Sequence, residues 1–127
     1  MSEQQSCDCS CSAAPKLIFA CSGAADVGHL ADLAARKLTA EGAGKMFCLA
    51  GVGGRVSGIL ETTKAAAATV AIDGCTLDCA RKTLEEAGFD RFEHVRLSDL
   101  GLEKGKSPVT DERIDTVVRQ ARSQLTG

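Results

Sequence analysis

Apolar residues recur along the chain in two alternating patterns, short unbroken runs and stripes at helical spacing. Leu17-Ile18-Phe19-Ala20-Cys21 is an unbroken run, as expected of a strand covered on both faces of a parallel sheet, and Ser22-Gly23 ends it. Val27, Leu30, Ala31, Ala34 and Leu38 then fall on one helical face, with Asp26 placed to cap that helix and Gly42 to stop it. Met46-Phe47-Cys48-Leu49-Ala50 repeats the strand signature. The glycine-rich Gly51-Val52-Gly53-Gly54 turns the chain, and Val56, Ile59, Leu60 and Thr63 mark a short helix.

A third strand is expected over Thr69-Val70-Ala71-Ile72, ending in Asp73-Gly74-Cys75. The following pattern predicts a helix from near Thr76 that carries Leu77, Ala80, Leu84 and Ala87 on one face and stops at Gly88. Phe92-Glu93-His94-Val95-Arg96-Leu97 is mixed in polarity and reads as an edge strand, with His94 on the surface. After a loop from Gly101 to Pro108, Thr110 can cap a last helix with the stripe Ile114, Val117, Val118, Ala121 and Leu125. Asp111 and Glu112 in its first turn and Arg119 and Arg122 toward its end suit the helix dipole.

Strands alternating with helices predict a three-layer α/β/α, Rossmann-like (flavodoxin-like) domain with a four-stranded, mostly parallel sheet of order 2-1-3-4 and right-handed crossovers. Its expected core is Leu17, Ile18, Phe19, Phe47, Leu49, Val70, Ile72, Leu84, Val117 and Val118. Residues 1–15 offer no large apolar side chain beyond Met1 and read as a flexible tail, leaving residues 16–127 as a single domain. A chain of 127 residues is long enough to bury such a core without a metal or disulfides.

Charge and composition narrow the partners. Lys and Arg number 15 against 17 Asp and Glu, for a net charge of -2, and aromatic residues are 3% of the chain. Without a basic stripe or stacking platforms, nucleic acid is not an expected partner. The apolar runs are strand-sized, and the polar, acidic N-terminus lacks the basic-then-apolar order of an export signal, so no membrane segment and a cytoplasmic location are expected. Seven cysteines in a reducing compartment point to metal binding or redox chemistry ahead of disulfides, although any one of them could serve as a small core residue.

Placement carries more weight than number. The strand order puts a topological switch between the first and third strands, where open α/β sheets bind ligands beyond the carboxyl ends. Cys21 ends the first expected strand, Cys48 lies near the end of the second and Cys75 ends the third. Cys79 follows Cys75 by four residues, so on a helix's first turns both sulfurs would share one face. Four thiolates suit zinc, which takes a tetrahedral sulfur shell, and a helix N-terminus would favour the thiolate form of Cys75 and Cys79. A reversible Cys75–Cys79 dithiol with Cys21 or Cys48 as nucleophile, as in thiol–disulfide or sulfur-transfer oxidoreductases, stays open beside it, as do plain core cysteines.

Asp73-Gly74-Cys75 followed by Leu77-Asp78-Cys79, with Phe19-Ala20-Cys21-Ser22-Gly23 and Cys48-Leu49-Ala50-Gly51 upstream, resembles the zinc-binding family named for its central Asp-Gly-Cys (DGC) motif. The resemblance runs from about Lys16 to the C-terminal helix. It implies a zinc site of four cysteines, carried here by Cys21, Cys48, Cys75 and Cys79, and no established reaction. Thr76 departs from the proline expected in many relatives, at the helix start and away from the ligands.

Other residues carry weaker signals. Gly51, Gly53 and Gly54 with Arg55 could cradle a small anion or phosphate ligand through backbone N–H groups, although the stretch lacks the Lys-Ser/Thr of a P-loop and reads equally as a tight turn. Asp73, Asp78 and His29 could orient the ligands from behind, or serve respectively as a helix cap, a solvated helix face and a partly exposed helix histidine. Cys7-x-Cys9-x-Cys11 could capture a second ion or act as a redox tag, or simply be accessible thiols of the tail. No catalytic residue and no protein partner is assignable.

Overall fold

The computed structural model describes residues 14–126; Cys7, Cys9 and Cys11 lie outside the described residues, as does the expectation of a flexible tail through residue 13. In chain order the elements are β1 (Lys16–Ala20), α1 (Asp26–Ala40), β2 (Lys45–Met46), α2 (Leu49–Gly53) and α3 (Ser57–Lys64). They continue with β3 (Ala68–Asp73), α4 (Cys79–Glu86), β4 (Glu93–Arg96), a 3-10 turn over Leu97–Leu100 and α5 (Asp111–Thr126).

The four strands form one sheet in the order β2-β1-β3-β4, and all three pairings are parallel. The expected order 2-1-3-4 is therefore the observed one. β1 and β3 are the long central pair, with Leu17 opposite Thr69 and Phe19 opposite Ala71. Alternate side chains of β1 enter different cores, which is why its apolar run is unbroken. Leu17 and Phe19 pack with Val52, Ala71, Ala80 and Leu84 against α2 and α4. Ile18 and Ala20 pack with Val27, Leu30, Val117 and Val118 against α1 and α5. Each large apolar side chain buried there contributes about 1.5–3 kcal/mol, and helices on both sheet faces make the three-layer α/β fold.

Two boundaries differ from expectation at places that bear on the cysteines. The second strand stops at Met46 instead of Ala50: Phe47 N–H still reaches the Ile18 carbonyl at 2.8 Å, but Leu49–Gly53 turns helical. Phe47 and Leu49 are partly buried against the core, with the Phe47 ring edge-on to Phe19 at 6.1 Å. The fourth helix begins at Cys79 and not near Thr76, and Leu77 stands 60% exposed instead of joining a core face. Thr110 does cap the last helix, its hydroxyl accepting the Arg113 N–H at 3.2 Å.

Asp26 turns out to be the first helical residue, following Ala25 at the cap position. Its carboxylate accepts the N–H groups of Gly105 at 2.9 Å, Ser107 at 3.0 Å and Val27 at 2.8 Å, tying the loop before α5 to the start of α1. The Gly105 and Ser107 N–H groups hold its carboxyl below the ordinary value. A carboxyl depressed in the native state stabilises above its unfolded pKa and loses that contribution as pH falls through the lower, native one. Urea unfolding of wild type and Asp26→Asn should therefore differ most near neutral pH, with the gap shrinking through the acid range.

Candidate functional site

The carboxyl ends of β1 and β3 lie side by side at the point where the chain's connections diverge to the two sheet edges, β1 leading to β2 and β3 leading to β4. Four free cysteines stand at this end: Cys21 just past β1, Cys48 just before α2, Cys75 just past β3 and Cys79 at the first turn of α4. Cys21 extends the ladder, its N–H donating to the Ile72 carbonyl at 3.1 Å. Its sulfur is half-buried and accepts the Gly74 N–H at 3.4 Å. Burial pushes this thiol above its ordinary value, partly offset by the Gly74 N–H.

Cys48 is exposed and acts as a side-chain cap of α2, accepting the Gly51 N–H at 3.3 Å. Cys21 and Cys48 both line an open cleft of about 540 Å³ floored by Ala20 and Phe47. Cys75 lines a neighbouring cleft of about 500 Å³ together with Leu77, Ser98 and Lys104. A cavity of about 500 Å³ between α3 and the loop after α4 contains neither cysteine nor histidine.

Cys75 and Cys79 are not stacked on one helical face as their spacing predicts. Cys75 precedes a turn closed by the Asp78 N–H on the Cys75 carbonyl at 3.2 Å, and only Cys79 is helical. No three of the four sulfurs lie within 4.8 Å of one another; among the described residues the group that does meet this distance is Asp73, Asp78 and His94. The cysteines thus share a sheet end, as expected, without forming a closed shell.

The Asp-Gly-Cys segment has a separate structural reason at each position. Asp73, only 1% exposed, reaches forward to cap α4: its Oδ1 accepts the Ala80 N–H at 2.7 Å and its Oδ2 the Arg81 N–H at 3.0 Å. Gly74 passes so close to α1 that a Cβ there would lie 2.8 Å from the Val27 carbonyl carbon and 3.0 Å from the Gly28 nitrogen. Cys75 then opens the turn to α4.

Behind that turn, His94 and Arg96 of β4 face the same carboxylates. His94 Nε2 lies 2.9 Å from Asp73 Oδ2 and 3.6 Å from an oxygen of Asp78. Arg96 holds Asp78 with two bonds, Nε to Oδ1 at 2.8 Å and Nη2 to Oδ2 at 2.5 Å. The guanidinium keeps the Asp78 carboxyl below the ordinary value and is itself pushed further up by it. Asp78 is therefore a buried, paired group and not a solvated helix face, and His94 is part of a network and not a surface residue. Every carboxylate oxygen in this group already accepts a hydrogen bond, from a backbone N–H or from the Arg96 guanidinium, which makes it a poor cation site despite its compactness.

The remaining expectations fall elsewhere. His29 is exposed on α1, with Asp32 as its charged neighbour. Gly51, expected in a loop, lies within α2, where a Cβ would meet Ile59 side-chain carbons at 2.9 Å, so packing alone accounts for this glycine. Gly53 is the last residue of α2 and Gly54 its C-cap. Arg55 turns its guanidinium to carbonyls, Nη1 donating to Val52 at 3.0 Å and Gly53 at 3.2 Å and Nη2 to Glu86 at 3.0 Å, which joins the ends of α2 and α4. Among the described residues no helix is long and apolar enough to cross a membrane.

Comparison with known proteins gives two matches. The DGC domain family matches residues 17–121. The anaerobic and virulence modulator AnvM of Pseudomonas aeruginosa is 35% identical over 88 residues, covering 69% of this chain and 67% of that protein. No solved structure matches.

Proposed function

The chain belongs to the DGC domain family, and from that premise we propose that it is a zinc-binding protein whose ligands are Cys21, Cys48, Cys75 and Cys79. The observation that carries this reading is the arrival of four free thiols from distant parts of the sequence at the switch point of one parallel sheet. Core packing gives no reason for such convergence, since Cys48 and Cys79 are exposed. The donor chemistry fits: soft thiolates favour a zinc-type ion over hard cations.

A tetrahedral shell with Zn–S bonds of about 2.3 Å sets sulfurs about 3.8 Å apart. The sulfurs stand farther apart than that as a set, so loading moves at least one of the segments that carry them. The Cys75–Cys79 turn and the Cys48 cap are the exposed ones. Bound zinc would supply a cross-link between strand ends and add stability by binding the native state preferentially. The role is structural or metal-handling, with no reaction assigned. AnvM is named as a modulator and not for a reaction, which accords with it. A reducing, cytoplasmic compartment, which keeps the four thiols free, belongs to the same proposal.

Cobalt substitution tests it directly, because the chain has no Trp or Tyr to obscure thiolate charge-transfer bands. Wild type should bind one equivalent with tetrahedral bands, and Cys75→Ser or Cys79→Ser should abolish them while far-ultraviolet circular dichroism stays that of an α/β fold. Unchanged bands in both variants would overturn the ligand set. A wild type that binds no metal yet cycles a Cys75–Cys79 disulfide would replace the proposal with a redox one.

A further inference from the structure

We infer that His94 and Arg96 are positioning residues that latch the Cys75–Cys79 turn from the neighbouring strand, so that two of the four thiols sit on an element that opens without unfolding the sheet. This rests on the reading of those thiols as ligands and deepens it by naming what holds them.

The turn needs such a latch. Asp78 is non-glycine in the left-handed region, at φ 54, where its Cβ crowds the following carbonyl oxygen. It sits at the cap position of α4 yet makes no capping hydrogen bond to that helix. Leu77 beside it is 60% exposed and belongs to neither core. What fixes the turn is lateral. Arg96 grips the Asp78 carboxylate bidentately, at 2.8 and 2.5 Å, and His94 contacts Asp73, the carboxylate that caps α4. His94 and Arg96 are two apart on β4 and so project to the same sheet face, while Val95 between them is buried on the α1 and α5 side. The other charged groups facing the pair are Arg81, 3.8 Å from Asp78, and Asp99, 3.5 Å from Arg96.

The segment is therefore held by β4 side chains at its base and by the partly buried Cys75 at its start, while Thr76 and Leu77 at its tip are exposed. Cys21 and Cys48 have their own anchors, the Gly74 and Gly51 N–H groups. Opening the turn would displace Cys75 and Cys79 and leave the other two thiols in place. That is a physical route by which an ion is admitted or released one pair of ligands at a time.

Amide exchange on the metal-free, reduced full chain tests the latch independently of any ion. In Arg96→Met the exchange of the Asp78 and Lys82 amides, which close the turn and the first helical turn, should rise at least 10-fold. A 10-fold rise corresponds to about 1.4 kcal/mol lost from the closed turn. The Val70 and Ile72 amides of β3 should stay unchanged. Arg96→Lys, which keeps the charge and loses the fork, should give a smaller selective rise, and it carries the test if Arg96→Met does not fold. His94→Gln, which retains a hydrogen-bonding group, should rescue most of the effect of His94→Ala.

No rise, or a rise shared by β3, overturns the latch. Cobalt titration of the same proteins separates the two readings: selective exchange with a wild type that binds no cobalt refutes the metal site and keeps the latch. Wild-type cobalt binding with no selective exchange does the reverse.

Discussion

Replacing Asp73 with Ala is expected to destabilise the domain by about 2–4 kcal/mol, a large share of the roughly 5–15 kcal/mol typical of a single domain. The carboxylate is buried and stands in for a missing helix cap: Asp78, at the cap position of α4, makes no capping hydrogen bond to the helix, and Asp73 takes the Ala80 and Arg81 N–H groups in its place. Truncation leaves both N–H groups without an acceptor in a site where water has little access, and strips His94 of its partner. Asp73→Asn is the informative control. One oxygen survives to accept one N–H while an amide NH2 faces the other, so the loss should be smaller but not absent. The measurement is the denaturant midpoint with its slope unchanged. A loss under about 1 kcal/mol in Asp73→Ala would mean that α4 does not depend on this cap.

The same residue shows where sequence reasoning reached and where it stopped. Asp73 could be read as a cap because an aspartate next to a glycine before a helical stripe is a local signal. That it caps across five intervening residues could not, because cap rules assume the residue adjoining the helix. The start of α4 at Cys79 departs from the periodicity for a related reason. Leu77 falls on the apolar stripe of the following helix, and periodicity has no means of telling an exposed turn leucine from a core one. The strand order was legible from the alternation of buried runs and helical stripes, since that pattern admits few topologies.

Met46–Ala50 shows the limit of short apolar runs. Five such residues suit a buried strand or the start of a buried helix equally, and the chain divides them: Met46 pairs with β1, while Leu49 begins α2. Cys48 falls at the joint and becomes a helix cap. That the cysteines gather at one sheet end follows from topology and was visible. Their spacing from one another depends on loop conformations and was not. His94 and Arg96 left a faint signal, two polar residues alternating with Val95 in an edge strand, but edge strands carry polar residues for solubility alone. Only the positions of Asp73 and Asp78 turn that alternation into a network.

Gly74→Ala is expected to cost about 3 kcal/mol or more, at the upper end of overpacking effects, because the added methyl meets backbone as well as the Val27 side chain. A Cβ at Gly74 would lie 2.8 Å from both the carbonyl carbon and Cγ2 of Val27 and 3.0 Å from the Gly28 nitrogen. Gly28 cannot retreat, since its own Cα side is packed against Gly23, where a Cβ would lie 2.6 Å from the carbonyl oxygen. Gly74 therefore lets the end of β3 meet the start of α1 at backbone contact, and Gly28 lets α1 meet the loop at Gly23 in the same way. Separating β3 from α1 would draw the Gly74 N–H away from the Cys21 sulfur, now 3.4 Å distant, and pull apart the two central thiol positions. Gly58→Ala supplies the contrast: a Cβ there meets nothing within 4 Å, and Gly58 is inside α3, so alanine should stabilise by about 0.5–1 kcal/mol. Thermal or urea unfolding of the two variants should move in opposite directions from wild type. If Gly74→Ala still folds, slower alkylation of Cys21 should accompany its loss of stability, because the half-buried sulfur loses the N–H that favours its thiolate. Equal stability of Gly74→Ala and wild type would mean that β3 and α1 do not meet as closely as described.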